Sequence, residues 1–130
     1  MTDEQGAPGS SVVAIDVLDE RGAGSSLVRV LRVREDVASL AGHFPGQPVV
    51  PAVVQIQWVM DAAERLAGRA PALRRLEALK FKAIIRPGQL VEVAVELSAA
   101  GDAVQFRIGC GERVFSSGRC VLRQPVHRVP

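Results

Sequence analysis

The sequence predicts an α+β protein, with one long buried helix and a curled antiparallel sheet of five to six strands wrapped around it. Three observations carry this expectation. Twenty valines against five isoleucines, with no tyrosine and one tryptophan, mark a β-rich chain with a core of small side chains. One stretch, 52–67, is apolar nearly all round and too long for a strand. The segments after it alternate apolar and polar residues and are separated by Gly- and Pro-containing turns.

The 130-residue length fits one domain. A chain of this size buries roughly two-thirds of its unfolded surface, enough for a core without staples. With 48% hydrophobic and 23% charged residues and a net charge of +2, the composition excludes a disordered chain, a coiled coil and collagen. Apolar runs such as 48–54 are too short to span a membrane. The polar, acid-containing start (1–10) lacks the make-up of a signal peptide, so a cytoplasmic protein is expected. Cys110 and Cys120 fit no zinc motif and sit at unequal distances from the turn between them, so both are read as small core residues rather than a disulfide. His127, in the tail, reads as a surface residue.

Taken in order, residues 1–10 form a flexible leader, and 11–123 form the domain. Val12–Leu18 and Leu27–Val33 read as a hairpin around the turn cluster 19–24. Residues 34–52 are irregular, stiffened by Pro45, Pro48 and Pro51. The helix runs Ala52–Ala67, after Pro51 and up to Gly68. It is interrupted by Gln55 and by a polar stripe of Gln57, Asp61 and Glu64/Arg65. Strands follow at Leu76–Ile84, Leu90–Leu97, Ala103–Cys110 and Arg113–Leu122, and 124–130 is a frayed tail. So short a sheet cannot cover every face of an apolar helix, so it must curl around it and pair with a second copy. That is the hot-dog arrangement, in a dimer.

Charge is uneven along the chain. Residues 65–86 hold seven cations (Arg65, Arg69, Arg74, Arg75, Lys80, Lys82 and Arg86) against the single acid Glu77. This is either a solvated face or a docking surface for an acidic partner. Only Phe81 is interleaved among these cations, which argues against nucleic acid.

The segment Gly42-His43-Phe44-Pro45-Gly46-Gln47-Pro48-Val49-Val50-Pro51-Ala52-Val53 resembles the HFPGxPVxPGV signature of the hot-dog (3R)-hydroxyacyl-[acyl-carrier-protein] dehydratases. Downstream, Leu76–Gly88 is similar to the family's strand reading KFKRPVxPGD, so the resemblance covers about 11–122. The run 53–58 (Val-Val-Gln-Ile-Gln-Trp) also resembles a divergent subgroup of aryl polyene pathways.

The resemblance implies a reaction that eliminates water from a 3-hydroxyacyl thioester to give a trans-2-enoyl thioester. It implies His43 as the base that removes the C2 proton. The thioester carbonyl would be held by the first free amides after Pro51, those of Ala52 and Val53. Phe44, Pro51 and Trp58 would line the acyl site. Acyl carrier protein is the implied partner, docked by Arg69, Arg74, Arg75, Lys80, Lys82 and Arg86; no metal or organic cofactor is implied.

Two positions depart from the pattern. Ala52 stands where the family has glycine. Gln57 stands where it has the catalytic Glu or Asp, and an amide cannot donate a proton as a carboxylic acid does. Asp61 lies one turn further on, where relatives often carry glutamine, so acid and amide look exchanged. Asp61 is then either the general acid or the i+4 ion-pair partner of Arg65. Two rivals remain at this stage: a hot-dog thioesterase in which Asp61 activates water, and a non-catalytic acyl-binding module.

Overall fold

The computed structural model describes residues 15–34 and 49–129. Six strands form one antiparallel sheet: β1 (Ile15–Ala23), β2 (Ser26–Val33), β3 (Leu73–Phe81), β4 (Leu90–Leu97), β5 (Ala103–Cys110) and β6 (Arg113–Leu122). Their spatial order is β1-β2-β4-β5-β6-β3, which leaves β1 and β3 as edges. The single helix of the described residues, α1 (Ala52–Ala67), packs against β2 and β4. Among the described residues no helix is long and apolar enough to cross a membrane.

The alternation read from the sequence phases the sheet. Leu27 and Leu31 of β2 lie opposite Val95 and Val91 of β4, and Val95 and Val93 lie opposite Phe106 and Ile108 of β5. All of them are buried against the helix residues Val54, Trp58, Val59, Ala62, Ala63 and Leu66. Small valines let the strands approach the helix closely, and Ala62 and Ala63 give it a flat contact. Both helix ends match expectation. Pro51 precedes the first turn, and Gly68 closes the last one at φ 79°, donating its N–H to the Glu64 carbonyl at 2.8 Å.

Several expectations are corrected. The polar run 19–23 is strand, not turn, and the β1–β2 reversal uses Gly24-Ser25 alone, with Gly24 at φ 60°. Glu20 explains this: it faces inward opposite Arg29 and is gripped by Arg29 Nε and Arg65 Nη2, each at 3.0 Å. The Arg65 hydrogen bond holds the Glu20 carboxyl below the usual carboxylate range and raises the guanidinium in turn.

β3 begins at Leu73 and ends at Phe81, because its alternation is broken by two irregularities. At the second, Ala78 adopts φ 54° and Leu79 swings over Gly118. A side chain at 118 would meet Leu79 Cδ2 at 2.7 Å and Phe106 Cε2 at 2.9 Å, so glycine there makes the bulge possible. The helix is not buried all round: Val53 is 73% exposed, and Ile56 and Met60 are only partly covered. Cys110 is exposed at the end of β5, whereas Cys120 is a core residue whose thiol burial pushes up to about 11.

Nor does the tail fray as far as Val129. Val126 is buried and donates its N–H to the Gly101 carbonyl at 2.8 Å, and the Val129 N–H reaches the Leu66 carbonyl at 3.1 Å. The segment thus straps the end of the helix to the β4–β5 turn.

Candidate active site

The exposed face of α1 and the chain that follows it enclose a groove of about 350 Å³, lined by Val53, Ile56, Gln57, Met60, Asp61, Glu64, Ala70, Pro71 and Leu73. Within it, Gln57 and Asp61 lie four residues apart and therefore on one face. Gln57 Nε2 donates to Asp61 Oδ1 at 2.8 Å, so the amide and the acid form one unit. Asp61 is half-buried and Gln57 exposed. The reading of Asp61 as partner of Arg65 is overturned, since Arg65 reaches Glu20 with both Nε and Nη2.

At the start of the helix, Pro51 (φ −65°, ψ 156°) is the N-cap residue and supplies no side-chain cap. Its carbonyl accepts from Val54 N at 3.1 Å and Gln55 N at 3.3 Å. The amides of Ala52 and Val53 precede these, in the turn where a helix has N–H groups without intrahelical partners. Ala52 and Val53 are both exposed, and no acidic side chain occupies the first turn. This end of the helix accordingly suits a developing negative charge on a bound oxygen.

His43 and Phe44 lie outside the described residues. Trp58 does not share the groove: it is 4% exposed and packs in the core, because it sits about 100° around the helix from Gln57. The six docking candidates are all exposed. Arg74, Arg75 and Lys80 stand on the edge strand β3, Lys82 and Arg86 follow it, and Arg69 precedes it. Two are already engaged: Arg75 bonds Glu77 at 2.7 Å, and Arg69 donates to the Pro125 carbonyl at 3.3 Å.

One residue stood out in the sequence only as a polar interruption of the helix, with no role assigned to it. Gln55 is a buried amide on the core side of α1, donating from Nε2 to the Val50 carbonyl at 3.3 Å and accepting from Ser116 Oγ at 2.8 Å. Its signal was available: 55, 58, 59, 62 and 66 form one helical stripe, and glutamine is its only polar member.

With this geometry in view, the family model described as ApeI dehydratase, of the ApeI-like family, matches residues 19–119. The chain belongs to the ApeI-like family. Its relatives include the 3-hydroxyacyl-[acyl-carrier-protein] dehydratase FabZ of Pediococcus pentosaceus, 33% identical over 93 residues that cover 66% of this chain and 62% of that protein. The FabZ of Lactobacillus helveticus is 28% identical over 116 residues, 84% of this chain and 78% of its own length. The chain thus spans just over three-fifths of the Pediococcus relative.

Among solved structures, the dehydratase heterocomplex ApeI:P from Xenorhabdus doucetiae superposes with a TM-score of 0.77 at 23% identity, covering 85% of this chain and 99% of that one. An uncharacterized protein from Erwinia carotovora subsp. atroseptica gives 0.68 at 28% identity, covering 87% and 96%. The ApeI-like chain therefore has the hot-dog fold that its sequence predicts.

Proposed function

We propose that this ApeI-like chain dehydrates (3R)-hydroxyacyl groups carried on acyl carrier protein to trans-2-enoyl thioesters, in the cytoplasm. The observation that carries the reading is the Gln57–Asp61 pair in a groove that begins at the uncapped first turn of α1. His43 takes the C2 proton, and the Ala52 and Val53 amides take up charge developing on the thioester oxygen. Asp61 protonates the departing hydroxyl, with the Gln57 amide fixing its orientation. The FabZ relatives favour dehydration over thioester hydrolysis and over acyl binding alone.

The test is turnover of a 3-hydroxyacyl thioester by the parent and two variants. Asp61→Asn is expected to lower kcat at least tenfold, a floor set below the range of about 10²–10⁴ for a positioned acid. Gln57→Ala should cost less, since it removes only the orienting hydrogen bond. A silent Asp61→Asn would transfer the acid role to His43 itself or to a water held by Gln57.

The exposed cations are proposed to receive the acidic carrier. Arg69 and Arg74 flank Ala70, Pro71 and Leu73 at the groove's rim. Because Arg75 already holds Glu77, which also pairs with Arg119 at 3.0 Å, the informative reversals are Arg74→Glu and Lys82→Glu. These should raise KM for carrier-bound substrate, more strongly at low salt, while leaving a small thioester mimic unaffected. Equal losses on both substrates would mean a structural role.

The active form is proposed to be a homodimer or a larger assembly of dimers. One chain leaves Val53 beside the groove, and Leu76, Leu79 and Phe81 on the edge strand, open to solvent. Such a face and such an edge call for a partner. Sedimentation at micromolar concentration is expected to give a dimer or larger, and a monomer would overturn this.

A further inference from the structure

We propose that Gln55 is a positioning residue that sets the place of the Val49–Pro51 segment, and through it the first-turn amides of α1; this rests on the dehydration reading above. Glutamine on the core stripe is a costly choice, because a buried amide must find partners or destabilise the fold. An apolar side chain would pack there without that demand. Gln55 meets it at both ends, and the assignment is forced. The Val50 carbonyl can only accept, so Nε2 must face it. Oε1 is then left for the fully buried Ser116 hydroxyl.

These two bonds close a ring of hydrogen bonds through the molecule. Val50 N–H donates to the Ile85 carbonyl at 2.8 Å, so Val50 is held at both of its backbone groups. Next to Ser116, the Phe115 carbonyl accepts from Lys82 N at 2.8 Å and Ala83 N at 3.2 Å, on the segment that leads to Ile85. The path therefore runs from Val50 through Gln55 to β6, across to the chain leaving β3, and back to Val50. Apolar packing alone lets a proline-bounded segment slide. A ring of directional bonds leaves it one position. What that position controls is where the Ala52 and Val53 N–H groups point, and donors to a developing oxyanion act through placement.

Three measurements test the proposal: steady-state kinetics of Gln55→Leu, the pH profile of Gln55→Glu, and amide hydrogen exchange in Gln55→Leu. Gln55→Leu should lower kcat at least tenfold with KM within about threefold, the split expected when an interaction matters in the transition state alone. Gln55→Glu should regain activity relative to the parent as pH falls, because a neutral carboxyl can donate to the Val50 carbonyl and accept from Ser116 as the amide does. Exchange should quicken at the Val50 amide while the amides of β4 and β5 keep their protection.

Faster exchange throughout the sheet, or a Gln55→Leu variant within twofold of the parent with unchanged Val50 exchange, would overturn the proposal. Absence of dehydration by the parent would defeat the functional reading separately. The Val50 exchange rate would still decide the pin, and an unchanged rate would overturn it.

Discussion

Replacing His43 by alanine is expected to lower dehydration by about 10²- to 10⁴-fold, the range for removing a positioned general base. The ApeI-like chain has two histidines, and the other, His127, is exposed in the tail. The motif itself contains no second imidazole to replace the first. A hydroxyacyl thioester is only weakly acidic at C2, and the helix amides can lower the cost of the enolate without removing the proton. The two contributions are distinct, so His43→Ala should reduce kcat while substrate still binds. Circular dichroism and melting temperature should match the parent. Turnover within a few-fold of the parent would place the base elsewhere.

The largest stability effect is expected from Gly101→Ala. Gly101 is buried at φ 77°, and a Cβ built on it points directly onto the Val126 carbonyl oxygen. Two penalties combine: a left-handed backbone that disfavours any side chain, and a clash with backbone rather than with a side chain that can rotate away. Together they amount to ~2–5 kcal/mol. For a domain of this size that lowers Tm by on the order of 10 °C. The loss should come with release of the tail, because Val126 N–H bonds the Gly101 carbonyl and would be displaced with it. Limited proteolysis after residue 123 should then be faster. An unchanged Tm would show that the tail yields without cost.

How far the sequence could be read depended on whether neighbouring residues carried the information. Both ends of α1 were legible because Pro51 and Gly68 impose them chemically, and β4, β5 and β6 were legible because alternation and turn residues agree over their whole lengths. The strand character of 19–23 was not, since it depends on Glu20 finding Arg29 and, from a distant segment, Arg65. The phase of β3 was hidden by its bulge, whose cause, Gly118, lies on another strand.

In the site, Gln57 and Asp61 were legible as a pair because helical spacing alone brings them together. Trp58 was expected at the acyl site from the family resemblance, although one step along a helix from Gln57 turns the side chain to another face. The role of Gln55 needed Ser116, sixty-one residues away.

The position of Trp58 also makes this chain its own reporter. With one tryptophan and no tyrosine, its near-ultraviolet emission comes from a single indole, held dry in the seam between helix and sheet. That emission should be blue-shifted in the folded chain and move to the red when the helix leaves the sheet. Events confined to the groove, on another side of the same helix, should change it little. Ligand binding and unfolding are thus separable in one cuvette, without a label.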